Sequence, residues 1–262
     1  MEKIRAVILA AGQGTRMKSQ LPKVLHPLLG RPMVWHSVQA ATLATGAVPV
    51  VVVGVGGEQV RQALGDQAEY VEQAQQLGTA HAVLQADLCL RGEADLVLVT
   101  FADMPLLTAE ILREIIDQQT AYPESAFTML TVVQEDVRGF GRILRDEQGN
   151  IQAIVEDAHA TPEQKAIREV NPSVYCFRGD WLWDALKRIP VSSKGEYYLT
   201  DIVALARAEG LTIQAVRSEY AAETIGVNTR VHLAEAQAVL QQRLNREWML
   251  QGVTMIDPSS VF

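Results

Sequence analysis

The chain has 262 residues, a formal net charge of −8, 48% hydrophobic residues and 21% charged residues. This length suits one large α/β domain with a small appendage, and the acidic balance gives no support for a nucleic-acid partner. No apolar run approaches the ~20 residues of a membrane span, and the start of the chain has no signal-peptide pattern. Because the two cysteines, Cys89 and Cys176, lie far apart in apolar contexts, we expect reduced thiols and a cytoplasmic protein without a membrane partner.

In the first half of the chain, apolar strand patterns alternate with helical patterns. Strands are predicted at 4–10, 48–55, 69–72 and 95–101, and helices at 33–44, 58–64, 79–89 and 108–119. Four such alternations in about 120 residues predict an α/β fold with a doubly wound, mostly parallel, Rossmann-like sheet.

The second half contains more strands and fewer helices. Strands are predicted at 127–133, 141–145, 151–155, 170–177 and 212–216, and helices at 181–189, 200–209 and 231–250. We expect a mixed extension of the sheet that forms the second wall of a cleft. The last helix has an apolar stripe that packs on the main domain or on another chain; it comprises Leu233, Ala236, Val239, Leu240 and Leu244. The predicted division is a main domain at 1–228, a linker helix at 229–250 and a short final segment at 251–262.

The loop after the first strand carries the strongest functional signal. It contains Ala10, Ala11, Gly12, Gly14 and Thr15, all small, so the main chain can approach a ligand closely and its N–H groups can converge on phosphate oxygens. Arg16 and Lys23 then add two cations. The alternative is an ordinary turn. The loop is neither a P-loop nor a dinucleotide fingerprint, because the required Gly-Lys-Ser/Thr and third glycine are absent.

Two more polar segments follow predicted strands, where ligands of open α/β sheets bind. Asp103 is either a Mg²⁺ ligand or a turn residue before Met104-Pro105. Gln73 and the pair Gly78-Thr79 can read a base edge, or Thr79 can simply cap the next helix. The five histidines have no i, i+4 pair of the kind found in helical zinc sites, so we interpret them as structural.

Several motifs in order then resemble one family. They are Leu9-Ala-Ala-Gly-x-Gly-Thr-Arg-Met, Leu21-Pro-Lys-Val-Leu-His26, Gln76-Leu-Gly-Thr, Gly139-Phe-Gly-Arg-Ile143, Ile154-Val-Glu156, Gly195-Glu-Tyr-Tyr-Leu-Thr-Asp-Ile202 and Gly226-Val-Asn-x-Arg230. Across essentially its whole length the chain resembles sugar-1-phosphate nucleotidyltransferases, and specifically the N-terminal uridyltransferase domain of bacterial bifunctional N-acetylglucosamine-1-phosphate uridyltransferase/glucosamine-1-phosphate acetyltransferase. The resemblance implies synthesis of UDP-N-acetylglucosamine and pyrophosphate from UTP and N-acetylglucosamine-1-phosphate, for peptidoglycan and lipopolysaccharide precursors.

The resemblance also implies roles for individual residues. The nucleotide would be held by Leu9, Ala10, Ala11, Gly12, Gly14, Gln73, Gly78 and Thr79, with Phe101 and Ala102 beside Asp103. Arg16 and Lys23 would face the triphosphate as catalytic cations, and Asp103 and Asn228 would bind Mg²⁺. The sugar phosphate would be contacted by Gly141, Glu156, Asn171 and Asn228, with Glu196, Tyr197 and Thr200 on the same wall.

The chemistry agrees with these roles. The nucleophile is a phosphate oxygen of the sugar-1-phosphate, which is mostly dianionic at neutral pH because its second pKa lies near ~6. No general base is required, and the sequence contains no convincing Ser-His-Asp or Cys-His pattern. Catalysis then consists of positioning and charge neutralisation by Mg²⁺, Lys23 and Arg16.

The chain departs from the family pattern at Phe101-Ala102 before Asp103, after Glu156, where a lysine is absent, and at Asn171-Pro172-Ser173. These departures lie near the sugar or the metal, so two alternatives stay open. One is a nucleotidyltransferase for another sugar-1-phosphate or nucleotide, and the other is a nucleotide-sugar-binding protein without turnover.

The final segment, residues 252–262, resembles the entry to the family's left-handed β-helix. A β-helix needs several stacked coils to bury its core. We therefore expect no acetyltransferase activity from this chain and no support for the family's trimer, which rests largely on that domain; a homo-oligomer of another kind stays open.

Overall fold

The computed structural model describes residues 2–137 and 139–261. Within these residues the strands are β1 (Ile4–Leu9), β2 (Pro27–Leu28), β3 (Arg31–Pro32), β4 (Val50–Val53), β5 (Glu69–Glu72), β6 (Leu96–Phe101), β7 (Phe127–Val133), β8 (Gly141–Arg145), β9 (Ile151–Val155), β10 (Glu169–Asn171), β11 (Tyr175–Arg178) and β12 (Ile213–Ser218). The helices are α1 (Met33–Thr45), α2 (Gly57–Leu64), α3 (Thr79–Leu84), α4 (Asp87–Leu90), α5 (Ala109–Ala121), α6 (Pro162–Lys165), α7 (Gly179–Leu186), α8 (Ile202–Ala208) and α9 (Arg230–Leu250).

All strands except the β2–β3 hairpin join one sheet, in the order β5-β4-β1-β6-β11-β7-β10-β8-β9, with β12 also paired to β7. β5, β4, β1 and β6 run parallel to one another. From β11 to β9 the neighbours are antiparallel, whereas β12 runs parallel to β7. The predicted parallel sheet with a mixed extension is therefore confirmed.

Both faces of the central strand β1 are covered by helices. Val7 and Leu9 point to the face covered by α3, α4, α7 and α8, and Ala6 and Ile8 point to the face covered by α1, α2 and α5. Each of these four residues is at most 7% exposed. Because successive strand residues face opposite sides, a strand segment buried on both faces must be apolar throughout, which is why residues 6–10, after the half-buried Arg5, form a continuous apolar run.

Two predicted elements are interrupted. The predicted strand 170–177 is divided into β10 and β11, both antiparallel to β7, and the register with β7 shifts between them. The break coincides with Pro172, which has no N–H, and with Ser173, whose φ is +65°. The predicted helix 79–89 is divided into α3 and α4, because the chain tightens to i→i−3 hydrogen bonds at Gln85 and Ala86.

The long helix α9 packs on the main domain. Ala236 and Leu240 are buried in an apolar cluster with Leu28, Leu106 and Val227. Of the predicted stripe, Leu244 is the most solvent-exposed member, at 36%. After the helix the chain folds back, and the Asn245 side-chain amide donates to the main-chain oxygen of Pro258 at 2.7 Å.

The helix bounds agree with the predicted linker segment at 229–250, and the division into domains stays a prediction. Met1 and Phe262, the ends of the predicted ranges, lie outside the described residues. Across the described part of the chain, no helix combines the length and apolar character needed to span a membrane.

Candidate active site

The loop after β1 brings two basic residues to the carboxyl end of the parallel sheet. The β1 pairing extends by one residue, since the main-chain N–H of Ala10 donates to Val52 O at 2.9 Å. Gly14 then adopts a left-handed conformation with φ +64°, and a Cβ at this position would overlap the Cβ of Lys23. A glycine is therefore required for the loop to pass so close to Lys23. Among the described residues, Arg16 has no ion-pair partner and lines the cavity described below.

Lys23 joins the two residues that the resemblance implies as metal ligands. Its Nζ lies 2.5 Å from Asp103 Oδ2 and 3.0 Å from Asn228 Oδ1. The Lys23 and Asp103 side chains are only 10% and 20% exposed. The Val227 N–H donates to Asp103 O at 2.7 Å, which holds the segment before α9 against the end of β6. Residues far apart in sequence thus place one ammonium, one carboxylate and one amide oxygen together.

A second segment, residues 73–79, follows β5 and is fixed by the main chain of Tyr197. Tyr197 donates from its N–H to Leu77 O at 2.8 Å and accepts at its carbonyl oxygen from Ala80 N–H at 3.0 Å. Gly78 has φ +102°, and a Cβ there would lie 2.5 Å from Tyr197 O. The hydroxyl of Thr79 accepts from Leu199 N–H at 2.9 Å. Only glycine fits between these two stretches of backbone.

Two glutamine side chains of this segment are also fixed. Gln73 is 4% exposed, and its Nε2 lies 3.0 Å from both Gly78 O and His81 Nδ1. Gln76 donates from Nε2 to Ala11 O at 2.6 Å, which ties this segment to the loop after β1.

These segments enclose a cavity of about 530 Å³. Twelve residues that were predicted as site residues line it, together with four that were not; the twelve are Leu9, Ala10, Ala11, Gly12, Arg16, Lys23, Gln73, Gly78, Thr79, Phe101, Asp103 and Glu196, and the four are Val24, Gln76, Ala82 and Tyr198. The volume of this cavity is in the range of small-molecule sites. We call the part of the site formed by residues 9–23, 73–79 and 103 the nucleotide wall, after the ligand that the resemblance implies for it.

The other predicted site residues lie outside this cavity lining. Ala102 is fully buried and donates from its N–H to Leu9 O at 3.0 Å, so it supports the end of β1. Tyr197 lines a neighbouring cavity of about 260 Å³, whereas its neighbour Tyr198 faces the main one. Gly14 and Asn228 both lie beside Lys23. Gln76 belongs to the Gln-Leu-Gly-Thr motif, so the sequence could have indicated it as a cavity residue. Nothing in the sequence shows that Tyr198 rather than Tyr197 lines the main cavity.

Four predicted sugar-phosphate contacts, Gly141, Glu156, Asn171 and Thr200, come from the antiparallel extension and the segment before α8; we call this group the sugar wall. Thr200 donates from its hydroxyl to Glu156 Oε1 at 2.8 Å. A Cβ on Gly141 would lie 2.6 Å from Ile154 Cγ2, so a side chain would not fit between β8 and β9. Burial and the nearby carboxylate of Glu156 raise the pKa of Asp201, which follows Thr200.

Asn171 is 1% exposed and its side chain is engaged within the protein. Its Nδ2 donates to the Tyr175 hydroxyl at 2.7 Å and to Ser173 Oγ at 3.3 Å, and its Oδ1 accepts from Ser173 N–H at 2.9 Å. Complete burial raises the pKa of Tyr175, so this hydroxyl stays protonated. The structure thus places Asn171 beneath the surface of the sugar wall, where it shapes the turn at Pro172-Ser173.

Comparison with known proteins adds a family and several relatives. A family model described as a MobA-like NTP transferase domain matches residues 6–206. The bifunctional protein GlmU of Heliobacterium modesticaldum is 50% identical over 264 residues, which cover 100% of this chain and 57% of that protein. The GlmU protein of Bacillus subtilis is 44% identical over 263 residues, covering 100% of this chain and 58% of that protein. The chain therefore spans less than two thirds of the length of these relatives, and the matches confirm the resemblance drawn from the motifs.

Among solved structures, CMP:2-keto-3-deoxy-manno-octonic acid synthetase complexed with CTP superimposes with a TM-score of 0.68. The alignment covers 92% of this chain and 99% of that one at 18% sequence identity. At this identity the likeness supports the fold.

Proposed function

The chain belongs to the family of MobA-like NTP transferase domains, and from this membership we propose that it is a Mg²⁺-dependent uridyltransferase. It converts UTP and N-acetylglucosamine-1-phosphate into UDP-N-acetylglucosamine and pyrophosphate. The observation that carries the proposal is the contact of Lys23 Nζ with Asp103 Oδ2 and Asn228 Oδ1 beside a cavity lined by a small-residue loop. A loop of this kind accommodates a polyphosphate, and the cation and the two oxygen donors would stabilise the charge that develops during nucleotidyl transfer.

Asp103 and Asn228 fit a divalent cation. Their Oδ2 and Oδ1 atoms both lie within hydrogen-bond distance of one ammonium, so the two oxygens converge on one position. Carboxylate and amide oxygens are the hard donors that Mg²⁺ prefers. When bound, Mg²⁺ would neutralise negative charge on the phosphate oxygens.

The reaction requires two anions to meet. An oxygen of the sugar-1-phosphate attacks the α-phosphorus of UTP, the bond from the α-phosphorus to the bridging oxygen breaks, and pyrophosphate leaves. Arg16, which has no ion-pair partner among the described residues, can bind the triphosphate with its planar fork. Lys23 supplies a point charge next to it. Because the attacking phosphate is already ionised, the site needs no general base, and the residues act by positioning and charge neutralisation.

The sugar wall would hold the second substrate. Gly141 and Glu156 would contact the sugar, with Asn171 and Thr200 supporting this wall and Glu196 and Tyr197 at its edge. The Thr200 hydroxyl fixes Oε1 of Glu156, which leaves Oε2 for a sugar hydroxyl or amide N–H. Both cysteines are free thiols, which supports a cytoplasmic location, where UTP is available.

Pyrophosphate release tests the proposal. The purified chain is incubated with UTP, Mg²⁺ and N-acetylglucosamine-1-phosphate, with glucose-1-phosphate and with CTP, ATP and GTP in parallel reactions. We expect release in the first mixture above all others. If no mixture releases pyrophosphate although UTP still raises the melting temperature, the result would contradict a transferase and indicate a nucleotide-binding protein without turnover.

One observation favours a second candidate, a uridyltransferase for a different sugar-1-phosphate. The Asn171 amide, implied by the resemblance as a sugar contact, is fully engaged with Tyr175 and Ser173. A sugar that needs no amide at this position would then suit the site equally well. A panel of sugar-1-phosphates with UTP distinguishes the two candidates by their kcat/KM values.

A further inference from the structure

We infer that His81 acts as a positioning residue that locks the Gln73 amide with its carbonyl oxygen towards the nucleotide, and that this orientation makes the site select a base with an N–H donor, uracil rather than cytosine. The inference rests on the proposed nucleotide-binding function of the cavity. It concerns a side chain that lies outside the cavity lining and was interpreted from the sequence as structural.

The orientation of Gln73 follows from its contacts. Its Nε2 lies 3.0 Å from the main-chain oxygen of Gly78, which can only accept a hydrogen bond, so the nitrogen end of the amide must face Gly78. The side chain is 4% exposed and lines the cavity. No described residue donates to Oε1 of Gln73. The N–H groups of the Gln73 amide thus donate to the protein, and its oxygen remains available to accept from a ligand.

His81 receives the second N–H of the same amide. Gln73 Nε2 lies 3.0 Å from His81 Nδ1, so Nδ1 must be the acceptor and the imidazole proton resides on Nε2. A second amide nitrogen, that of Gln85, lies 3.2 Å from His81 Nε2 and 2.8 Å from His81 O. A neutral imidazole accepts at one nitrogen only, so the two glutamines compete for it.

Burial decides this competition. Gln73 is nearly fully buried, and a buried N–H without an acceptor is costly. Gln85 is partly exposed and keeps its hydrogen bond to His81 O, so its other N–H can be hydrated. The tautomer with an accepting Nδ1 is therefore favoured, and it holds Gln73 against rotation of its amide.

The fixed acceptor has a consequence for the base. Uracil presents an N3–H donor, whereas cytosine presents a lone pair at N3, which would face Oε1 of Gln73. To pair with cytosine N3, the amide would have to rotate and bring its oxygen against Gly78 O, which can only accept, and His81 would have to leave the favoured tautomer that accepts at Nδ1. A buried site built around one hydrogen-bond polarity rejects the opposite polarity strongly. We expect the wild-type chain to prefer UTP to CTP by about 100-fold or more in kcat/KM.

Three variants test the role of His81. His81→Leu removes the acceptor, and His81→Asn returns an oxygen at the δ position. Gln85→Ala is the matched control, because it removes the other amide at the same ring. Circular dichroism melting verifies folding, and the readouts are the UTP/CTP ratio of kcat/KM in pyrophosphate release and the UTP/CTP ratio of Kd by titration calorimetry without sugar phosphate.

We expect His81→Leu to lower both ratios about tenfold, His81→Asn to restore most of the loss, and Gln85→Ala to leave both ratios unchanged. An unchanged ratio in His81→Leu, equal losses for both nucleotides, or His81→Asn no better than His81→Leu would overturn the inference. A wild-type chain without base preference would also overturn it. If no pyrophosphate is released but UTP binds, the proposed transferase function fails, and the Kd ratios still decide the role of His81.

Discussion

The nucleotide wall and the sugar wall place their charged groups differently. On the nucleotide wall, Lys23 lies between Asp103 and Asn228, and opposite charges are in contact at 2.5 Å. On the sugar wall, the carboxylates of Glu156 and Asp201 lie near each other, and the pKa of Asp201 is raised by burial and by Glu156. The first arrangement is suited to holding phosphates and a metal. The second is suited to accepting hydrogen bonds from a neutral sugar, with its charges held in place by neighbouring donors such as Thr200.

The walls also differ in how they are built. The nucleotide wall lies at the carboxyl ends of parallel strands β1 and β6, where short loops follow buried strands. The sugar wall lies on antiparallel strands and on turns that pack against one another. A local change should therefore affect the two substrates separately, and four predictions address this difference.

The largest effect is expected from Asp103→Ala. The substitution removes the carboxylate that pairs with Lys23 and, in the proposed site, binds Mg²⁺, so turnover should fall by about 1,000-fold or more. Pyrophosphate release measures this, and the variant should still melt cooperatively. Asp95→Ala, just before the start of β6, is the control because the Asp95 carboxylate accepts from the Lys3 N–H and does not line the cavity. Substantial turnover in Asp103→Ala would refute the metal assignment.

Gly78→Ala should weaken UTP binding. Gly78 has φ +102°, and a Cβ would lie 2.5 Å from Tyr197 O, so residues 73–79 must shift. We expect the KM for UTP to rise about tenfold and stability to fall by about 2 kcal/mol. Gly149→Ala is the matched control, since Gly149 has φ +86° but open space around it. Equal effects of both variants on KM for UTP would mean that the close approach to Tyr197 is unimportant.

Thr200→Val should act on the sugar wall alone. Valine keeps the shape but removes the hydroxyl that donates to Glu156 Oε1 at 2.8 Å. We expect the KM for the sugar phosphate to rise about fivefold, because one hydrogen bond to a charged group is lost, and the KM for UTP to stay constant. The control is Thr100→Val, because the Thr100 hydroxyl is buried and has no partner among the described residues. A rise in the KM for UTP instead would contradict the separation of the two walls.

The smallest effect concerns stability and pH. Since the folded-state pKa of Asp201 is raised above 3.8, the penalty on its charged form is absent at low pH and grows as pH rises through the folded pKa. Asp201→Asn should therefore raise the melting temperature by about 1–2 °C at pH 7 and by less as the pH approaches 4. The gain is small because the start of α8 favours a negative charge at this position. Asp117→Asn, at an exposed position of α5, should change the melting temperature at neither pH. A gain that persists at pH 4 would show that the charge of Asp201 is not its cause.

Local patterns predicted the nucleotide wall well. The continuous apolar run before Ala10 and the small residues after it determine both the buried strand and the close loop, and this stretch supplies Leu9, Ala10, Ala11, Gly12 and Arg16 to the cavity. Asp103 was predicted at the end of a strand for the same reason. These features depend on neighbours in sequence, which is where periodicity and turn chemistry are informative.

The contacts that complete the site depend on distant residues. Lys23 and Asn228 are 205 positions apart, and their hydrogen bond follows from the packing of Val227 against Asp103. The choice of Tyr198 over Tyr197 for the cavity is decided by the pairing of Tyr197 with Leu77 and Ala80. The break between β10 and β11 depends on the left-handed φ of Ser173, which the sequence does not reveal. Pro172 shows in the sequence only that one N–H is missing from the strand. None of these contacts leaves a periodic signal in the sequence.

The separation of Lys23, Asp103 and Asn228 along the chain has a consequence for biosynthesis. A ribosome delivers the lysine first, the carboxylate 80 residues later and the amide after 205 residues. A nascent chain that has emerged only to α8 contains both Lys23 and Asp103, but it lacks the second oxygen donor, Asn228. A chain interrupted before residue 228 would therefore contain every strand of the parallel part of the sheet and still lack one of the two proposed metal ligands.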